Sequence, residues 1–248
     1  MRKFPLGLAS CVAVLAIWQI VSGMKWVNPA LLPPPSRVGP AVWDILTTGS
    51  IIDPLKQTLS LLAAGYCIGC VLAIGLGLAM GINRHVYNMF EPIVELLRPL
   101  PKPALVPPLF LFLGIGIATK ITIVALAAFF PVLINTVQGV RSVDPVLLNT
   151  ARTFRRSMPA TMIYVILPAA LPMIVTGMRV SLGLSLTLVI LAEMLVGSTG
   201  IGFLILDMQR SFAVTDMLAW VFILGVIGVV LNGAFETLER MSLHWRSK

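Results

Sequence analysis

Residues 141–168, RSVDPVLLNTARTFRRSMPATMIYVILP, carry four arginines and their own helix signals, and they run straight into the apolar stretch that opens at Leu167. They form the one long polar loop in a chain that otherwise reads as membrane. Asp144-Pro145 is a helix start: the Asp carboxylate accepts from free backbone donors, and proline fits the first helical position. Leu147, Leu148, Ala151, Phe154 and Met158 then form an apolar stripe, and Asn149, Arg152, Arg155 and Arg156 take up much of the remaining surface. Ser157 before Met158-Pro159 reads as a second cap, opening a helix toward Val165. The expected structure is an amphipathic helix-turn-helix. Charge placed only by the positive-inside rule needs neither caps nor a stripe, so the pattern points to a docking surface.

Outside this loop the composition is that of a membrane protein. The 248 residues are 58% hydrophobic and 11% charged, against roughly 25% charged in soluble domains. Mean hydropathy is +0.96. A soluble core cannot hide that much apolar surface. At ~20 residues per span, the length accommodates about five to seven helices, and one membrane domain over residues 1–248 is expected. Cys11, Cys67 and Cys70 lie inside apolar runs and read as buried small hydrophobes rather than disulfide or metal ligands. Leu8-Ala9-Ser10-Cys11 resembles a lipoprotein cleavage box, but the apolar stretch before it is short, so an uncleaved first span is expected.

Six spans are expected: about 6–24, 58–82, a proline-broken segment within 86–114, 119–140, 164–195 and 213–236. With the N-terminus inside, the inner segments hold ten basic residues: Arg2, Lys3, Arg84, Arg141, Arg152, Arg155, Arg156, Arg240, Arg246 and Lys248. The outer segments hold five: Lys25, Arg37, Lys56, Lys120 and Arg210. The bias places both termini and the 141–163 loop in the cytoplasm. Topology thus accounts for the net charge of +8 without nucleic acid as a partner. The 25–57 segment falls outside. There Pro33-Pro34-Pro35-Ser36 makes a stiff turn, Ser36 is placed to cap a short helix, and Trp26 and Trp43 suit the interface.

Within the second span Gly65, Gly69, Ala73, Gly77 and Gly81 recur every four residues. Such a small-residue face admits a close helix, either within the chain or at a subunit interface. In the third segment Pro92, Pro99, Pro101, Pro103, Pro107 and Pro108 forbid a continuous helix. Before the break, Asn88, Glu91, Glu95 and Arg98 form a polar stripe, and Glu95 and Arg98 are spaced to pair across one turn. Two accounts fit this segment. It is a surface helix with Arg98 and Lys102 snorkelling to headgroups, or the stripe and break line a water-filled path. The fifth span holds Arg179 and Glu193, ~21 Å apart along a helix and so unable to pair with one another. Arg179 needs an ion-pair partner or faces a path.

Here the sequence resembles a known family. Asn149-Thr150-Ala151, then Arg155, then Val165-Ile166-Leu167-Pro168 matches the spacing of the EAA loop of ABC-importer permeases: Glu-Ala-Ala, three residues, Gly, nine residues, Ile-x-Leu-Pro. LLPPPSRV (31–38), LLRPLPKPALVPPLFLFLGIGIATK (96–120), LPAALPMIVTGMRVSLG (167–183) and ILAEMLVGSTGIGFLI (190–205) resemble the taurine/alkanesulfonate/nitrate-type branch. Asn149 replaces the motif glutamate and Arg155 its glycine. Glycine permits a turn with positive φ, so arginine is expected to make that turn less comfortable and to lengthen the first helix.

The resemblance implies an all-α, type I importer permease fold in the bacterial inner membrane, with a core over about 58–240 and a coupling loop at 141–165. It implies a second permease copy, two cytoplasmic ATPase subunits and an extracytoplasmic substrate-binding protein. Coupling would fall to Asn149, Thr150, Ala151, Arg152, Phe154, Arg155, Leu167 and Pro168. Glu95, Arg98, Lys102, Arg179 and Glu193 are candidates for the translocation path. The basic members of that set favour an anionic solute such as a sulfonate, nitrate or carboxylate. The chain lacks GxxxxGK[ST], so it is expected to be non-catalytic, with ATP and Mg held by the ATPase partner. One alternative is an ion-coupled secondary transporter, which proline-broken helices and buried charges also suit, although no inverted repeat is evident. A membrane hydrolase is the other. Gly197-Ser198-Thr199-Gly200 lacks the GxSxG spacing, and His85 and His244 fall on the opposite side from Ser198.

Overall fold

A computed structural model describes residues 3–242, with the side chains of residues 3–6 and 8 left aside. Arg2, His244, Arg246 and Lys248, and the side chain of Lys3, lie outside the described residues, so the terminal part of the charge argument is carried by Arg240 alone. In chain order the helices are α1 (Lys3–Gly23), α2 (Pro35–Thr47), α3 (Ile52–Ile82), α4 (Arg84–Leu97), α5 (Val106–Leu113), α6 (Ile117–Arg141), α7 (Pro145–Thr153), α8 (Met158–Thr161), α9 (Leu167–Val196), α10 (Ile201–Arg210) and α11 (Val214–Ser242). A 3-10 turn at Lys102–Leu105 precedes α5, and a wider π-turn at Met162–Ile166 joins α8 to α9. There is no β-strand among the described residues.

Among the described residues, four helices are long and apolar enough to cross a membrane: α3, α6, the continuous Met158–Val196 and α11. A fifth crossing arises if α4 and Lys102–Leu113 count as one broken span, bent by 94°. The apolar part of α1, Ala9–Gly23, is shorter than a span. The all-helical class holds, and each expected span has a helical counterpart. Helix α3 begins at Ile52 rather than near residue 58. Asp53 in its first turn complements the helix dipole, so the helix opens in polar sequence that hydropathy leaves out. The π-turn precedes Pro168, which cannot donate to the carbonyl four residues back, and the backbone there widens.

The chain divides into two compact units. The first comprises residues 1–57 and 193–227. In it, Pro34 rather than Ser36 occupies the N-cap of α2. Ser36 lies inside the first turn, where its N–H donates to Gln19 Oε1 (3.1 Å) and its hydroxyl accepts from Gln19 Nε2 (3.3 Å), tying α2 to α1. The Ser22 hydroxyl donates to the Leu32 carbonyl, which fixes the connecting turn.

The second unit comprises residues 58–192 and 228–248. Helix α6 lies along the small-residue face of α3. A Cβ at Gly65 would stand 2.6 Å from Val124 Cβ, at Gly69 2.9 Å from Ala128 Cβ, at Gly77 2.7 Å from Thr136 Cβ and at Gly81 2.5 Å from Val140 Cβ, while Ala73 is fully buried. Intramolecular packing therefore fills the face that the sequence leaves open to either partner. Around it lies a core of Cys70, Ala73, Met80, Ala128, Val132 and Leu133. Below it Leu78, Val140, Val143, Ile166, Ala170 and Ile174 gather, and Leu148 of α7 packs on them. A third cluster of Val106, Ile123, Ala127, Leu188 and Ala192 joins α5 to α6 and α9. Cys70 is buried as expected, but Cys11 and Cys67 are exposed on helix faces. On a membrane helix such a position meets lipid, which accepts a small hydrophobe as readily as a core does.

Candidate functional site

The polar loop folds as its signals require, with two corrections. Asp144 caps α7, its carboxylate accepting from the Val146 N–H (2.8 Å), and Pro145 takes the first helical position. Ser157 stands at the N-cap of α8, but its side chain makes no capping hydrogen bond; only its carbonyl engages, accepting from Thr161. Arg155 does not lengthen α7. The helix stops at Thr153, and Arg155 adopts φ +50 in the left-handed region that glycine would favour. The Arg155 N–H donates to the Arg152 carbonyl (2.9 Å) and the Arg156 N–H to the Ala151 carbonyl (3.1 Å). This is the Schellman closure of a helix C-terminus. The turn is retained with arginine in the glycine seat.

The apolar stripe of α7 splits. Leu148 and Ala151 face inward, and Ala151 is buried. Val146, Leu147, Phe154 and Met158 stay exposed. Leu147, Thr150, Ala151, Phe154 and Arg156, with Ala160, Thr161, Tyr164 and Val165, line a groove of about 660 Å³. Asn149 and Arg152 stand exposed on α7, Leu167 is half-buried and Pro168 exposed. Tyr164 escaped the sequence reading, which placed Arg156 on the loop's polar surface without a partner ring. The Arg156 guanidinium lies 6.0 Å from the Tyr164 ring, within cation–π range.

A second site forms at the bend. The Glu95 and Arg98 side chains pair at 3.6 Å, both largely exposed. The Lys102 ammonium donates to the carbonyls of Leu97 (3.1 Å), Arg98 (3.0 Å) and Leu100 (3.0 Å). Pro101 cannot donate to the Leu97 carbonyl, which takes the Leu100 N–H (3.3 Å) and the Lys102 cation instead at the end of α4. Its Nζ also lies 4.3 Å from the Phe130 ring centroid. Arg98 and Lys102 open on a cavity of about 490 Å³ with Pro103, Ala127, Phe130, Pro131, Ile134, Asn135, Leu184, Thr187 and Leu188. Asn135 and Thr187 are polar residues inside apolar helices, a signal present in the sequence but not used. Helix α4 is further tied to α6 by the Arg141 guanidinium 3.4 Å from the Tyr87 ring, and the Tyr87 hydroxyl donates to Glu91.

Arg179 and Glu193 lie away from this cavity's lining. The Arg179 guanidinium pairs with Glu236 and Glu239 at 3.4 Å each, at the C-terminal end of α11, and Glu236 also takes Arg240. Arg179, midway along α9, thus meets the polar C-terminal end of α11. Glu193 is fully buried, and its Oε2 accepts from the Gly202 N–H (2.9 Å) at the first turn of α10. A carboxylate there is stabilised by the N-terminal dipole and its free donors. Gly200 sits against that carboxylate with φ +102.

Residues 69–242 match the family described as "Binding-protein-dependent transport system inner membrane component". The chain is 32% identical over 241 residues to the putative aliphatic sulfonates transport permease protein SsuC of Bacillus subtilis, covering 97% of this chain and 87% of the relative. It is 35% identical over 235 residues to the protein of the same description from Escherichia coli (94% and 89% covered), and 33% identical over 247 residues to the bicarbonate transport system permease protein CmpB of Synechococcus elongatus (96% and 89%). In fold it resembles a chain of the inward-facing MetNI methionine ABC transporter, with a TM-score of 0.65 at 19% identity, covering 76% of this chain and 94% of that one.

Proposed function

The chain belongs to the family of binding-protein-dependent transport system inner membrane components, and from that premise we propose that it forms the translocation path of an ATP-driven importer for a small anion. Two copies pair in the membrane. A soluble binding protein delivers the solute outside. A cytoplasmic ATPase holds ATP and Mg, and its closure is transmitted through the 141–168 loop. Both termini face the cytoplasm. The named relatives concern sulfonates and bicarbonate, which carry negative charge, and the cations at the cavity suit such cargo.

The surface of α7 carries this reading. A capped nine-residue helix keeps Val146, Leu147 and Phe154 exposed beside a groove that Arg156 lines, with Arg152 exposed on the same helix. Exposed apolar side chains ringed by basic ones, outside the bilayer, fit a protein partner. Arg152→Glu and Phe154→Asp touch exposed positions, so insertion and monodispersity should persist. Co-purification of the ATPase and ATP-driven uptake should fall at least about tenfold, as loss of an aromatic or arginine anchor does at interfaces. ATPase recovery and uptake at wild-type levels would count against the reading. Uptake that ignores ATP and collapses with a proton or sodium gradient would replace it with ion coupling.

A further inference from the structure

We propose that Lys102 is a positioning residue whose ammonium is a tethered cation, filling a carbonyl-lined cation site at the α4–α5 bend, and that this site, once emptied of the side chain, takes a free primary alkylammonium. The proposal goes beyond the importer reading, and only its transport readout rests on that reading. Three backbone carbonyls converge on one nitrogen: Leu97 (3.1 Å), Arg98 (3.0 Å) and Leu100 (3.0 Å). An ammonium has three donors, and these carbonyls take all of them. The prolines make the acceptors. Pro101 has no N–H for the Leu97 carbonyl, and the Ala104 N–H that a continuing helix would give to Leu100 goes to Pro101 instead (2.9 Å). The ring of Phe130, itself buried, covers the ammonium from α6 at 4.3 Å. The C-terminal end of α4 adds the negative end of its dipole.

These contacts join parts that would otherwise be independent. The Arg98 carbonyl belongs to a residue at the end of α4 whose side chain lines the cavity, and Phe130 lines the same cavity from α6. One charge therefore sets the spacing of the two, and a shift of either breaks one of its contacts. Lys102 has no hydrogen left for a solute, so its task is shape. At the broken helices of ion-coupled transporters, freed carbonyls bind the coupling cation. Here the cation belongs to the chain and cannot leave down a gradient. Arginine cannot replace it, because its hydrogens spread in one plane over several nitrogens while these carbonyls meet at one point. Methionine keeps an unbranched stem and loses both the charge and the donors.

The test is chemical rescue with n-propylammonium, the fragment that Lys102→Ala removes. In the solubilised full-length permease, Lys102→Ala and Lys102→Met should each lower the thermal midpoint by at least about 4 °C. Propylammonium should restore at least about half of the Lys102→Ala loss, saturably, and leave the wild type and Lys102→Met unmoved. Tetramethylammonium, a cation without an N–H, and 1-propanol, a stem without a charge, should restore nothing. If Lys102→Ala aggregates, purification in propylammonium should recover it. In ATP-driven uptake by the reconstituted complex, Lys102→Ala and Lys102→Arg should lower the maximal rate at least about tenfold with KM changed less than about threefold, and propylammonium should rescue Lys102→Ala alone. Unchanged midpoints, rescue by tetramethylammonium or propanol, or failure of propylammonium to stabilise or recover Lys102→Ala would overturn the proposal. So would a raised KM at full maximal rate with Lys102→Arg behaving as wild type, the signature of a charge that only attracts cargo. If no ATPase associates, the importer reading fails and the midpoint rescue still judges the cation site.

Discussion

Arg155 holds a conformation that costs an L-residue about 1–2 kcal/mol, because its Cβ crowds the following carbonyl. Lys25 (φ 58) and Phe212 (φ 57) do the same at the ends of α1 and α10, each with the paired backbone bonds of a Schellman turn. In all three the hydrogen-bonded closure outweighs the local strain. Arg155→Gly should therefore raise the thermal midpoint of the solubilised permease by about 2–4 °C, and Arg155→Val should lower it. Glycines along α3 divide by what they face. Gly77→Val would drive its Cβ into Thr136 at 2.7 Å, an overpacking of ~1–3 kcal/mol, and should cut the monodisperse yield. Gly75 has nothing within 4 Å, so Gly75→Ala should leave that yield intact or improve it. Size-exclusion profiles of the two variants decide the matter.

Among elements, α7 depends on its cap. Removing the Asp144 carboxylate leaves the Val146 N–H unsatisfied, at a cost of about 1 kcal/mol. Asp144→Ala should speed hydrogen exchange of the Val146 and Leu147 amides about fivefold, with α6 unaffected. This start was legible in the sequence because a cap and a helix-opening proline act on their own backbone. The break after α4 was legible for the same reason: Pro99, Pro101 and Pro103 exclude donors wherever the chain lies, and the 94° bend follows. What joined the bend into a site was not legible. Lys102 meets three carbonyls that converge only once the backbone has turned. Asn135 and Thr187 arrive from α6 and α9, and Arg179 finds Glu236 and Glu239 about 60 residues on. Such pairings depend on how helices stack, which residue spacing within one helix does not encode. Glu193 illustrates the converse: its partner is nine residues away, yet a turn at Gly200 had to be known before a charge in a span could be read as a cap.

For the whole molecule, the charge bias in the sequence predicts residues 35–47 outside and residues 145–153 inside. In a background lacking Cys11 and Cys67, a membrane-impermeant maleimide should label Arg37→Cys in intact cells, and Val146→Cys only after permeabilisation. Reversed labelling would invert the topology and leave α7 beyond any cytoplasmic partner. The second compact unit contains the groove at α7 and the cavity at the bend, and one uninterrupted helical stretch touches both. Tyr164 lies at the groove and Thr187 at the cavity, ~35 Å apart at 1.5 Å per residue. Such a rod acts as a lever arm. Rocking it by about 5° about its foot at the groove sweeps the far end through ~3 Å, more than the width of a hydrogen bond's tolerance. The π-turn at Met162–Ile166 sits beside that foot, where the ladder of backbone bonds is already out of step. A fulcrum placed there would multiply small displacements at the loop into ångström-scale movement of the cavity wall.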